Sequence, residues 1–113
     1  MKVVNRVKKH EEFNEIISTG KKFKSSNLAV FYRSNTNGYT RIGVAVGKKN
    51  GKAVQRVKIK RQIRAMIAKR NDYSLSIDLI IVVKQSYDTT LFSKNETELN
   101  ELLNKIKEEL NWK

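Results

Sequence analysis

A chain of 113 residues with 39% apolar content has room for one compact domain, expected to span residues 1–113, and for an ordinary hydrophobic core. The absence of cysteine excludes a disulfide framework and thiolate metal sites, and no apolar run approaches the ~18 residues of a membrane span. The formal net charge is +13, and all eleven acids lie at Glu11, Glu12 and Glu15 or from Asp72 onward, so fifteen Lys and Arg stand between Ile16 and Asn71 with no acid among them.

Met1-Lys2-Val3-Val4-Asn5-Arg6 turns polar too soon to supply a signal peptide, which with the missing cysteine points to a cytoplasmic protein. From Lys9 to Thr19, Phe13, Ile16 and Ile17 recur at helical spacing, and Gly20 is expected to end the helix as a left-handed cap. A short strand is expected near Lys22-Phe23. Leu28-Ala29-Val30-Phe31-Tyr32 is strand-like and runs into a turn cluster ending in Asn37-Gly38. Arg41 to Val46 alternates with period two, and the two strands read as an antiparallel hairpin. Gly43 and Gly47 mark close backbone approach or a bulge.

Gly47-Lys48-Lys49-Asn50-Gly51 is a basic loop in which Asn50 or Gly51 can cap the next helix. That helix, Lys52 to Arg70, places Ile59, Ile63, Met66 and Ile67 within roughly 100° of arc as a buried stripe. Lys58, Arg61 and Arg64 fall on the far side, and Arg56 and Lys60 nearer the stripe, where they can rim a groove. Asn71-Asp72-Tyr73 closes the helix. Ile77 to Val83 is a nearly continuous apolar strand, expected to be central and covered on both faces. The last helix is expected to start at Ser93 or Asn95 in a capping pattern and to bury Leu99, Leu102, Leu103, Ile106 and Leu110. This order gives an α/β (α+β) two-layer sandwich, a small mixed sheet packed with helices.

A solvated surface mixes charge signs because like charges repel, so the acid-free stretch points to a polyanionic partner, and nucleic acid fits better than a membrane surface. Support for protein-borne catalysis is poor. The one histidine, His10, reads as a surface residue, no Ser or Thr sits in a nucleophile elbow, and Glu11, Glu12, Glu96, Glu98, Glu101, Glu108 and Glu109 read as solvated helix faces. Gly47 to Lys52 lacks the spacing of a nucleotide-binding loop. Lysines at a helix start nevertheless attract phosphate, and Lys52 and Arg56 stand there against the helix dipole.

Lys48-Lys49-Asn50-Gly51-Lys52-Ala53-Val54-Gln55-Arg56-Val57-Lys58-Ile59-Lys60-Arg61-Gln62-Ile63-Arg64 resembles the signature K-K-x-G-x-A-V-x-R-N-R-x-K-R-x-x-R of the bacterial ribonuclease P protein. Lys58 keeps the charge of the second Arg of that R-N-R triplet, whereas Val57 replaces its Asn and removes a polar group placed near RNA. Arg6-Val7-Lys8 through Phe13 is similar to the family's R-L-K-x-x-x-x-F opening. Asn27 to Tyr32 and Arg41 to Lys49 follow its strand order, so the resemblance covers nearly the whole chain.

The resemblance implies a fold like the second domain of a ribosomal small-subunit protein, with a left-handed βαβ crossover containing the basic helix. It implies an accessory subunit of an endoribonuclease ribonucleoprotein that matures the tRNA 5′ end. The catalytic RNA subunit would carry out the hydrolysis and hold most of the Mg²⁺, with no organic cofactor. The expected partners are that RNA and precursor tRNA. RNA contact is expected at Lys48, Lys49, Lys52, Arg56, Lys58, Lys60, Arg61 and Arg64. The single-stranded 5′ leader is expected in a cleft at Phe13, Ile17 and Phe31, where Ile17 replaces a usual aromatic; no catalytic or metal-ligating residue is expected in the chain. A ribosome-associated RNA-binding protein of similar fold shares the charge and element order without needing the long motif. A stand-alone nuclease would have to cleave without an RNA partner, and helix-turn-helix DNA binding is disfavoured because strands flank the basic helix.

Overall fold

The computed structural model describes residues 6–7, 9–71 and 74–111. Three helices and four strands follow in the order α1 (His10–Thr19), β1 (Lys21–Lys24), β2 (Leu28–Ser34), β3 (Arg41–Val46), α2 (Ala53–Arg70), β4 (Ile77–Val83) and α3 (Phe92–Asn111). This is the expected α+β architecture, with one mixed sheet of strand order β1-β2-β4-β3. Asp72 and Tyr73, expected to help close α2, and Lys8 of the opening motif lie outside the described residues.

β4 lies inside the sheet with apolar residues buried on both faces. Ile77, Leu79, Ile81 and Val83 join the main core under α2 and α3, with Leu28, Val30 and Tyr32 of β2 and Ile42 and Val44 of β3. Ile80 faces the other way and packs with Ile16 of α1 and Val7. Sheet and α2–α3 are thus the two principal layers, and α1 lies across the opposite sheet face.

The expected β2–β3 hairpin does not form. β4 intervenes, antiparallel to β2 and parallel to β3, so β3-α2-β4 is a crossover. The Asn-Gly signal specifies a turn, which Gly38 makes at φ 80°, but not its partner. The loop instead packs against the approach to β4: Asn35 N–H donates to Ser76 O at 2.9 Å and Thr40 Oγ1 to Leu75 O at 2.7 Å. β2's hairpin partner is β1.

Gly20 is likewise not a left-handed cap, since its backbone is extended at φ −77°, ψ 164°. A Cβ there would lie 2.5 Å from Ile16 O and 2.7 Å from Tyr32 O, so glycine is needed where α1 meets β2 back to back. Gly20→Ala should lower unfolding free energy by about 3 kcal/mol, and an unchanged denaturation midpoint would refute this account.

α2 starts at Ala53, one residue later than expected, and neither Asn50 nor Gly51 caps it. Lys52 is the N-cap residue and makes no side-chain cap bond, while Asn50 Nδ2 donates to Lys84 O at 2.8 Å. Asn71 closes the helix in the left-handed conformation, φ 57°, ψ 39°. α3 begins at Phe92, earlier than either expected start. Asn95 is therefore no cap: it is buried within the first turn, where Nδ2 donates to Asp88 O at 2.7 Å.

Candidate nucleic-acid interface

Lys48 and Lys49 are exposed on a single 3-10 turn, Lys48–Asn50. Gly51, at φ 117°, ψ −168°, turns the chain from there into α2, a conformation that L side chains rarely adopt. Ile59, Ile63, Met66 and Ile67 are buried as expected and fix the helix's rotation. Lys52, Lys58 and Arg61 are exposed, and Arg56 and Lys60 are half-buried. Arg64 departs from its expected outward position: it is half-buried, and its Nε, like that of Arg56, is shielded from solvent without an acceptor. Val54 and Val57 are 84% and 49% exposed and share an open surface with Lys58 and Arg61.

The expected RNA contacts differ from the paired cations in their partners. Among the described residues, none of Lys48, Lys49, Lys52, Arg56, Lys58, Lys60, Arg61 and Arg64 has a carboxylate within ion-pair distance, whereas Lys21, Arg33, Arg41 and Lys69 each do. The first eight occupy the turn and α2, and the four paired cations stitch elements together.

A groove of about 400 Å³ runs between α1 and β3. His10, Phe13, Asn14 and Ile17 form its α1 wall, Val44 to Gly47 its floor, and Lys60 of α2 reaches it from the far side. Phe13 can sit on the sheet only because residue 43 is glycine, since a Cβ there would be 2.4 Å from Phe13 Cζ. Of the three expected cleft residues, Phe13 and Ile17 line this groove. Phe31 belongs to the same apolar cluster but lies further across the sheet, with Lys22 Nζ 5.3 Å from its ring centroid.

The α1 wall is tied down by charge. Asp78 of β4 is 1% exposed. Its Oδ1 accepts from Arg41 Nε and Asn35 Nδ2, both at 2.9 Å. Its Oδ2 accepts from Arg41 Nη2 at 3.0 Å and Arg33 Nε at 3.2 Å. Each arginine then reaches α1, Arg41 Nη2 to Glu12 Oε2 at 2.7 Å and Arg33 Nη1 to Glu15 Oε1 at 2.6 Å. Burial alone pushes the Asp78 carboxyl up, but hydrogen bonds from Arg41, Asn35 and Arg33 and the charge of Arg41 together hold it below the usual carboxylate range. Glu12 is thus no solvated helix face, contrary to expectation. Nor is Glu98, which accepts from Ser25 Oγ, from Asn27 N at 2.9 Å and from Asn27 Nδ2 at 3.0 Å, holding α3 to the β1–β2 turn. Glu96 and Glu109 pair with Lys69 and Lys21.

The family model for ribonuclease P matches residues 1–107, taking in the basic turn, α2 and the groove. The chain belongs to the ribonuclease P protein family. Among its relatives, the ribonuclease P protein component of Mesoplasma florum is 41% identical over 105 residues, covering 91% of this chain and 96% of the relative. That of Mycoplasma capricolum is 39% identical over 110 residues, covering 95% and 100%. Among solved structures, the Staphylococcus aureus RNase P protein matches with TM-score 0.77 and 28% identity over 91% of this chain and 95% of that one. The Thermotoga maritima protein matches with TM-score 0.76 and 25% identity over 88% and 96%. Family membership makes the chain a protein component of ribonuclease P, working with RNA in an endoribonuclease complex, and does not favour the ribosomal alternative. No described helix is long and apolar enough to cross a membrane.

Proposed function

We propose that the chain is the accessory subunit of a cytoplasmic ribozyme: it binds the catalytic RNA through the 48–64 basic surface and holds the precursor tRNA 5′ leader in the α1–β3 groove. The observation that carries this reading is the concentration of carboxylate-free cations on one turn and one helix among the described residues. Eight Lys and Arg without carboxylate partners line one turn and one helix, while the other arginines bordering α1 are neutralised internally. Free cations displace condensed counterions from phosphates and so lower the salt cost of assembling two RNAs. In the groove, Phe13 offers a base a flat apolar surface, worth about 1–3 kcal/mol per stacked base and tolerant of sequence, as variable leaders require.

Hydrolysis is assigned to the RNA subunit, and Mg²⁺ with it. Two of the chain's own carboxylates, Asp78 and Glu98, are engaged by protein donors. The test is 5′-leader release from labelled precursor tRNA at low Mg²⁺, with RNA subunit alone, protein alone, and both. Cleavage in the mixture only is expected. Cleavage by the protein alone would establish a nuclease and overturn the proposal.

A further inference from the structure

Phe13 and Ile17 stand on a short helix held to the sheet by an apolar cluster and by ion pairs. α1 has ten residues, makes no side-chain N-cap bond, and buries Ile16 alone completely. A helix this short is marginal without tertiary contacts. Beside the apolar packing of Ile16, the ionic contacts on either side of Phe13 are Glu12–Arg41 and Glu15–Arg33, one residue before Phe13 and two after it. Both arginines are anchored on one buried carboxylate, Asp78. Because each guanidinium is planar and donates in fixed directions, holding Asp78 with one edge and α1 with another fixes both the distance and the roll of the helix.

We infer that the chain Glu12–Arg41–Asp78–Arg33–Glu15 is a positioning clamp for leader recognition: it seats Phe13 over Gly43 and so sets the shape of the α1–β3 groove. The inference rests on the reading of that groove as the leader site. Arg33 and Arg41 are then positioning residues and not phosphate ligands, since protein carboxylates balance their charge. Recognition on this wall is correspondingly non-ionic, and the salt-dependent binding belongs to the turn and α2.

The clamp makes a prediction opposite in sign to simple electrostatics. Removing two acids beside a bound RNA should tighten binding if charge alone matters, whereas loosening the clamp should weaken leader recognition. The experiment compares the reconstituted ribonucleoprotein carrying Glu12→Gln plus Glu15→Gln with wild type and Phe13→Ala, measuring affinity for precursor and leaderless tRNA across a salt series. Both glutamates are on the surface side of the network, and thermal unfolding of each protein checks that it is folded. The double variant should lose roughly tenfold in preference for precursor over leaderless tRNA, the lower end for one hydrogen bond to a charged group. KM should rise with kcat held, and the salt slope should stay at the wild-type value.

Unchanged or increased precursor preference in the double variant, with Phe13→Ala impaired, would overturn the clamp and leave the leader groove standing. An unimpaired Phe13→Ala would remove the groove reading and the clamp with it. For Arg41→Gln, a salt slope lower by about 1 would mark a direct phosphate contact and overturn the positioning role.

Discussion

Replacing Lys58 and Arg61 together by alanine should reduce the slope of log K against log salt for binding the RNA subunit by about 2, with little change in protein stability. Both side chains are exposed, neither has a carboxylate partner among the described residues, and the helix under them is held by the stripe from Ile59 to Ile67 on its other face. Their contribution is therefore carried by released counterions and vanishes as salt approaches 1 M. At 0.1 M the double variant should bind about sixtyfold more weakly, and the two binding curves should converge as salt is raised. Arg64 is the poorer choice for this test. It is half-buried with its Nε sealed off, so truncation would also disturb packing and mix a stability loss into the binding signal. A titration with unchanged slope would remove the outer face of α2 from the RNA interface.

Much of this surface was legible in the sequence, for a physical reason. A helix is a local object with a fixed 3.6-residue period, so the stripe Ile59, Ile63, Met66 and Ile67 determines which side of α2 meets solvent. The apolar run at β4 was equally plain, and the centre of the sheet followed from it. Strand neighbours were not legible. Leu28 to Tyr32 and Arg41 to Val46 flank a turn signal and look paired, yet each bonds to β4, more than thirty residues further on. Gly20 was read through its conformation when its role is spatial, set by Tyr32 O across the interface. Sequence alone misjudges Glu12 because its partners, Arg41 and through it Asp78, are remote in the chain. One signal for them was present: Asp78 is a charge inside the apolar run Ile77 to Val83, and an ionised group buried there must be paired and hydrogen-bonded. The unpaired excess of Arg33 and Arg41 in the preceding strands supplied the candidates.

Asp78→Ala should destabilise the protein by about 3–5 kcal/mol, the range for removing one partner from a buried ion pair. The loss has two sources. Hydrogen bonds from Arg41, Arg33 and Asn35 lose their acceptor, and two guanidiniums remain beside apolar surface with only Glu12 and Glu15 to balance them. Asp78→Asn keeps the shape and part of the bonding, so it should fall between alanine and wild type. The same network predicts a pH dependence. Asp78 has a folded pKa below that of the unfolded chain, so its contribution is fully present above the unfolded value, about 3.9, and is lost as pH falls through the lower folded value. Glu98 acts in the same direction: burial raises its pKa, but hydrogen bonds from Ser25 and Asn27 and the charge of Lys94 bring it below the ordinary value. Stability of the wild type should therefore be flat in this respect around neutrality and decline below about pH 4. The Asp78→Asn protein, already lacking the ionised partner, should show a shallower acid limb, so that the gap between the two narrows on acidification. Urea unfolding at pH 7 and at pH 3 measures both effects, and a gap that is absent at pH 7, or that widens in acid, would show that the buried carboxylate does not hold α1 to the sheet as its ion.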